Sequence, residues 1–168
     1  MAPALTRWAW PAAAALAFAF LVGLALQGGR PDIAVEFKPG GLMAFAPEQV
    51  REIEIRRGAD RRRFVRNGER WEAPVETAER LEAGLRLLRN AAPMRVLAAE
   101  EVARVPPSEY ALGADSLRVT VRPASGAAFV IQFGGTNPLG AARYAKVDGE
   151  AGVVLLPTYL AEAWEQVR

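Results

Sequence analysis

Apolar and polar residues alternate with a period of two in residues 50–72. In the first strand-like segment, Ile53 and Ile55 fall on one side, and glutamates and arginines fall on the other. A second, arginine-rich segment ends at an Asn-Gly dipeptide at 67–68, which favours a tight hairpin turn, and a third segment carries Trp71. The pattern therefore predicts a three-stranded antiparallel meander.

The pattern becomes helical after this meander. Leu81, Leu85 and Leu88 recur at i, i+4 and i+7, and charged residues fill the remaining faces. Thr77 is a suitable N-cap, and Pro93 ends the pattern. We therefore expect one amphipathic helix directly after the meander.

The second half of the chain repeats this order of elements. Residues 94–99 predict a short strand, and 100–116 predict a short helix with an irregular connection. Alternating segments then begin at Leu117 and Phe129, two further apolar strands follow, and a last helix begins near Thr158.

A shift of 66 residues lays the stretch "IEIRRGADRRRFVRNG" over "VTVRPASGAAFVIQFG". It places Ile53 on Val119, Ile55 on Val121 and Gly68 on Gly134. This match is compatible with a two-fold internal repeat. We predict an α+β fold, in which an N-terminal transmembrane helix precedes a small domain of antiparallel β-meanders, each packed with a helix.

An uncharged segment lies between Arg7 and Arg30. Its apolar part, from Trp8 to Leu26, would span roughly 28 Å as a helix, close to the hydrocarbon thickness of a bilayer. Trp8 and Trp10 stand at one end, where amphipathic rings favour the interface. The run is long for a signal peptide and its end lacks the small residues that cleavage requires, so a retained anchor is favoured over a cleaved signal.

We accordingly divide the chain into four segments. These are a short cytoplasmic tail (1–7), a transmembrane signal anchor (8–28), a linker (29–46) and an extracytoplasmic α+β domain (47–168). Positive charges on the two sides of the anchor are nearly balanced, so the orientation follows the usual arrangement of a short, charged N-terminal tail. We expect a single-pass protein of the bacterial inner membrane with its C-terminal domain in the periplasm.

The composition removes several kinds of chemistry. The 168 residues include no Cys and no His, which excludes thiol nucleophiles, disulfides, imidazole bases and Cys/His zinc sites. The few serines lie outside any nucleophile-elbow motif. We therefore expect no catalytic residues, no cofactor and no metal site.

The glycine-rich stretch 133–150 has the glycine spacing of a phosphate-binding loop. Gly135 and Gly140 are placed as in a Walker A motif, but two alanines stand where the motif requires Lys and a hydroxyl residue. The residues that follow predict a strand and not the helix whose N-terminus would face a phosphate. We predict a tight connection between two strands, with Asn137 or a glycine at positive φ.

The arginines of residues 56–70 are interleaved with glutamates and Asp60. On a hairpin these charges would form cross-strand ion pairs on a solvated face, each worth about 0.2–1 kcal/mol. Contact with a partner or with anionic lipid is the alternative, and nucleic acid is not expected because no aromatic platform accompanies the charges. The candidate partner-contact residues are Arg56, Arg57, Arg61, Arg62, Arg63, Arg66, Asn137 and Tyr144.

The order of these signals resembles the bacterial family of domain of unknown function 4340 (DUF4340), over about residues 43–168. The carriers are the alternating strand before the first turn, "NGERWEAPVETA", "SEYALGADSLRVTV", "IQFGGTNPLGAARYAKVDG" and "VVLLP". Two positions depart from the pattern: Ala111 replaces the usual glycine of the turn, and residues 115–116 lack a proline often found there.

The resemblance implies a location and a role. Family members are usually anchored at the N-terminus and exposed outside the cytoplasmic membrane, and many look like partners of ABC-type export or gliding-associated systems. We therefore expect a non-enzymatic accessory or scaffolding protein whose extracytoplasmic domain docks on a membrane protein complex. The alternatives are a periplasmic glycan- or peptide-binding module with an aromatic groove around Tyr144 or Tyr159, and a hydrolase that relies on carboxylates.

Overall fold

The computed structural model describes residues 41–167. Strands occupy β1 (Val50–Arg57), β2 (Asp60–Asn67), β3 (Arg70–Trp71), β4 (Arg95–Leu97), β5 (Leu117–Pro123), β6 (Phe129–Thr136), β7 (Ala142–Val147) and β8 (Val153–Pro157). Helices occupy α1 (Val75–Asn90), α2 (Ala99–Val102) and α3 (Thr158–Glu165), with short 3₁₀ turns at Pro47–Gln49 and Pro107–Tyr110. The strands and helices predicted from the periodicity are confirmed at these positions.

The eight strands form one antiparallel sheet in the order β3-β2-β1-β5-β6-β7-β8-β4. At its centre β1 pairs with β5, which places Ile53 opposite Val121 and Ile55 opposite Val119. This pairing joins the first hairpin to the second and makes one continuous apolar face from the inward side chains of both.

The core lies between that apolar face and the two longer helices. Leu81, Leu85 and Leu88 of α1 have no solvent exposure, and Trp164 of α3 is 1% exposed. The two helices touch where α1 carries Gly84, because a Cβ placed there would lie only 2.8 Å from Cζ2 of Trp164. The small residue therefore lets the indole ring fill the space between the helices.

The start of α1 differs from the predicted cap. The helix begins at Val75, the amide of Ala78 donates to the carbonyl of Pro74 at 2.9 Å, and Thr77 lies inside the first turn and is buried. Pro74 occupies the N-cap position without a side-chain cap, and its ring fixes φ at −52°, near the helical value.

The predicted fold class is wrong in its architecture. The two meanders do not form separate sheets each under its own helix; they are neighbouring parts of one eight-stranded sheet, and α1 and α3 pack together. The physical reason lies in β1 and β5. If each meander formed its own sheet, β1 and β5 would each have an unpaired edge next to the core. Buried backbone N–H and C=O groups require partners, so the two edges pair with each other.

The fold-class prediction also included a transmembrane helix, and this is a second correction. No helix among residues 41–167 is long and apolar enough to cross a membrane, and the longest, α1, has 16 residues. The segment in which that helix was predicted, residues 8–28, lies outside the described residues.

The residues just before β1 belong to the packed domain. Residues 41–46 were assigned to the linker, yet Met43 is fully buried, and the amides of Leu42 and Met43 donate to the carbonyl of Leu88 at 3.1 and 3.3 Å. Arg89 of α1 donates to the carbonyls of Met43 and Ala44. This segment therefore covers the end of α1.

One end of the sheet's other face, here called the outer face, is covered by the segment from α2 to β5. Leu97, Tyr110 and Val153 form a second, smaller buried cluster there. Within this segment Ala111 has φ +49°, the only non-glycine residue at positive φ among residues 41–167. A Cβ is disfavoured in the left-handed region, so glycine would adopt this turn with less strain than Ala111 does.

Candidate interaction surface on the open sheet

The middle strands leave the outer face open, and the register of the sheet brings cations together there. Arg61 of β2 lies opposite Arg56 of β1, and Arg56 lies opposite Arg118 of β5. Arg118 in turn lies opposite Gln132 of β6, and Gln132 lies opposite Lys146 of β7. We call Arg61, Arg56, Arg118 and Lys146 the cationic row; its four side chains are exposed.

The carboxylates of the outer face are engaged beside the row. Glu52 accepts hydrogen bonds from Arg63 at 2.5 Å and from Arg122 at 2.6 Å, and Glu54 accepts one from Arg61 at 2.7 Å. The hydrogen bond from Arg63 lowers the pKa of Glu52, against the opposing effect of burial, and Arg61 lowers the pKa of Glu54 in the same way. Both carboxylates therefore stay ionised and hold their arginines.

Among the described residues, three cations of the row have no acidic partner. Arg56, Arg118 and Lys146 form no ion pair with any residue in 41–167, and Arg118 donates only to Oε1 of Gln132, at 3.3 Å. Like charges on directly opposed residues of neighbouring strands are destabilising. A partner that brought carboxylates or other anions to the row would relieve this repulsion.

The other arginines of the predicted contact set have structural partners. Arg57 lies on the core side and donates to Glu165 of α3 at 2.6 Å, and Arg143 donates to the same oxygen at 2.7 Å. Burial opposes the charge of Glu165, but the hydrogen bonds from these two arginines outweigh it, so its pKa is lowered. Arg62 pairs with Asp60 at 3.2 Å.

Arg66 does not belong to the exposed surface. It is 7% exposed, its guanidinium donates to Glu82 of α1 and to the carbonyl of Pro47, and it lies 4.5 Å from the ring centroid of Trp71. Nε1 of Trp71 donates to the same Glu82 oxygen at 2.8 Å. The cluster connects β2 and β3 to α1, so the charge of Arg66 has a structural role.

The glycine-rich stretch is a connection between β6 and β7, as predicted. Oδ1 of Asn137 accepts from the amides of Ala141 and Ala142 at 3.1 and 3.0 Å, and Gly140 takes φ +73°. The Asn137 amide itself donates to the carbonyl of Ala142. These amides donate to acceptors within the loop, so they do not point toward a phosphate site.

Tyr144 lies in a groove at the covered end of the outer face. Its ring meets that of Tyr110 edge to face, with centroids 5.0 Å apart, and burial raises the pKa of Tyr110. The groove has a volume of about 510 Å³ and runs between the β6–β7 connection and α2, where Arg95 pairs with Glu101 at 2.5 Å. Leu139, which is 87% exposed, stands at its rim.

Tyr159 is not part of this groove. It lies at the start of α3 and is 53% exposed, whereas the groove is lined by residues of the outer face and of the segment that covers it. The structure therefore separates the two tyrosines that the sequence analysis offered as alternatives.

Sequence reasoning missed Arg118 and Lys146 in the cationic row, whereas Tyr110 was among the aromatic residues considered for a groove. Arg118 and Lys146 occupy polar positions of alternating strands, so their side of the sheet was readable from the period of two. Their place in one row with Arg56 depends on the pairing of β1 with β5, which no local pattern specifies.

Comparison of the chain with protein-family models, with curated proteins and with solved structures gave no match. The resemblance to the family of domain of unknown function 4340 stays a prediction.

Proposed function

We propose that this protein is a non-enzymatic accessory or scaffolding protein whose domain docks on a partner protein of a membrane complex. The observation that supports this proposal is the cationic row, an exposed line of four positive side chains of which three have no carboxylate partner among residues 41–167. The contact surface is the open part of the outer face, formed by β2, β1, β5, β6 and β7.

The balance of charge within the face supports the proposal. Glu52 and Glu54 pair with Arg61, Arg63 and Arg122, so the solvated ion-pair face expected from sequence accounts for these residues. It does not account for Arg56 or Arg118, which lie directly opposite each other and have no carboxylate partner among residues 41–167. Their positions favour association with an acidic surface, which would attract them over several ångströms.

The proposed location is the periplasmic face of the bacterial inner membrane, in contact with an export or gliding-like complex. Both the location and the class of complex rest on the family resemblance. The proposed docking surface does not depend on the location or on the class of complex.

Affinity purification of the tagged full-length chain in mild detergent tests the docking function. We expect a membrane protein to co-purify in a fixed ratio with the chain, and to be lost with the double variant Arg56→Gln/Arg118→Gln. The matched control is Arg86→Gln/Arg104→Gln, which removes the same charge from exposed positions outside the row. A chain that purifies alone contradicts the proposal.

The groove supports a second candidate function, the binding of a periplasmic peptide or glycan. The groove is open to solvent and places the partly exposed ring of Tyr144, which packs on the buried ring of Tyr110, next to polar side chains that a peptide or glycan could contact. We expect a true ligand among cell-wall peptides and glycans to raise the melting midpoint of the full chain, since it binds only the folded state. Tyr144→Ala should abolish the rise and Tyr159→Ala should keep it; equal responses from both variants would contradict a site in the groove.

A further inference from the structure

We infer that the cationic row binds the acidic face of an α-helix of the partner, laid across the strands. The inference rests on the proposed docking function and specifies the chemistry of the partner at the same surface. It follows from the spacing of the cations, from the shape of the charged area and from the groups that border it.

The spacing along the row fits a helix. Neighbouring strands are about 4.8 Å apart, so the row places cations at roughly 0, 5, 10 and 19 Å, with uncharged Gln132 between the last two. On a helix that rises 1.5 Å per residue, acids at i, i+3, i+7 and i+14 lie at about 0, 4.5, 10.5 and 21 Å, within one narrow stripe. The differences of up to about 2 Å are within the reach of flexible Arg and Lys side chains.

An extended peptide fits the same row less well. Side chains on one face of a strand recur every two residues, or about 6.6–6.8 Å. Acids in such a peptide would lie at about 0, 7, 13 and 20 Å. They would come within about 2 Å of Arg61, Arg56 and Lys146, but the nearest acid would be about 3 Å from Arg118. The helical spacing is the one that matches the three consecutive cations.

The shape of the charged area favours a linear partner over a flat anionic surface. On one side of the row lie Glu52 and Glu54, whose ion pairs with Arg61, Arg63 and Arg122 interrupt the broad positive charge that a lipid surface would need. On the other side Gln132 donates to the carbonyl of Gly113 at 3.0 Å and to Oγ of Ser116, so the chain before β5 borders the row. The cations that lack a carboxylate partner among residues 41–167 therefore lie along one line across the strands.

Two synthetic helical peptides test the inference on the full chain in non-ionic detergent. Both share one alanine- and glutamine-rich composition; one carries Glu at i, i+3, i+7 and i+14, and the other distributes the same four Glu around the helix. We expect the aligned peptide to bind more tightly by fluorescence anisotropy at low salt. Arg56→Gln/Arg118→Gln should weaken it about 2- to 30-fold, since each exposed pair contributes modestly. Arg86→Gln/Arg104→Gln should change it less than about 2-fold.

Lys146→Gln provides an independent check of alignment. This variant should weaken the aligned peptide but should not affect a version that lacks the Glu at i+14, because the two groups are paired in the inferred complex. The substitution lies at an exposed position, so the fold should persist, and circular dichroism verifies this.

Three results would overturn the inference. The first is equal binding of the aligned and the distributed peptides. The second is row-dependent binding of phosphatidylglycerol vesicles without row-dependent peptide binding, which assigns the surface to lipid. The third is a partner protein that co-purifies equally with wild type and with Arg56→Gln/Arg118→Gln, which leaves the docking function intact. A wild-type chain that retains no partner overturns the docking function instead, even where the peptide binds.

Discussion

Replacing Trp164 with alanine is expected to lower the free energy of unfolding by about 3–5 kcal/mol, the range found for loss of a buried large aromatic side chain. Trp164 is 1% exposed and is the largest fully buried side chain among residues 41–167. It fills the space between α1, α3 and the sheet, and the helices cannot close over the cavity without moving on the sheet. Denaturant unfolding followed by circular dichroism measures the loss.

Trp164→Phe and Gly84→Ala separate packing from other effects. The phenylalanine variant keeps a ring and removes an indole N–H that has no hydrogen-bond partner in the described structure, so its loss should be smaller. Gly84→Ala should destabilise by up to about 2 kcal/mol, because overpacking against Trp164 outweighs the roughly 1 kcal/mol gained in helix propensity. A Cβ added at Gly113 would have no atom within 4 Å, so Gly113→Ala is the control that should leave stability unchanged. Stabilisation by Gly84→Ala would contradict the helix contact.

The second large effect is expected at Glu82. Glu82→Leu removes the partner of a buried guanidinium and leaves Arg66 charged and uncompensated beside Trp71. Removing one member of a buried pair costs about 3–5 kcal/mol. The Glu82 side chain is 30% exposed, so water offsets part of this cost and we expect about 2–4 kcal/mol.

The double variant Arg66→Met/Glu82→Leu should recover much of that loss. Replacing both charges with apolar groups removes the unpaired cation, and the exchange of a buried ion pair for apolar residues is often close to neutral. Equilibrium unfolding of both single variants and the double variant gives the coupling energy between the two residues. Additive losses would show that the Arg66–Glu82 contact does not carry the stability assigned to it.

Local features of the fold could be predicted because they depend on neighbouring residues. Ile53 and Ile55 identify β1, the leucines of α1 recur at helical spacing, and the Asn-Gly dipeptide marks the β2–β3 turn, where Gly68 takes φ +63°. The joining of the two hairpins into one sheet could not be predicted. The pairing of β1 with β5 depends on contacts between residues about 60–73 positions apart, and the period of two is equally compatible with a separate sheet for each hairpin.

The candidate surface could likewise be predicted where it depends on neighbouring residues, and could not where it depends on distant pairing. The arginine run was visible in the sequence, and the period of two places Arg56 and Arg66 on opposite faces of the folded hairpin. The burial of Arg66 depends on its partner Glu82 in α1. The periodicity of α1 shows which side of the helix is apolar, but it does not show which strand Glu82 meets. Arg56 acquired its cationic neighbour Arg118 only through the register of the sheet centre.

The pairing of β1 with β5 also sets the order in which the chain can fold. During synthesis β1 and β2 can form their hairpin early, but the inner edge of β1 stays open until residues 117–123 have been made. The edge strand β4 likewise waits for β8. Sheets built from such distant pairings fold on the millisecond-to-second scale, since loop closure must precede the contacts that stabilise it. A nascent or truncated chain that ends before β5 therefore exposes the unpaired inner edge of β1 together with Ile53 and Ile55, and that edge is the first place where it would self-associate.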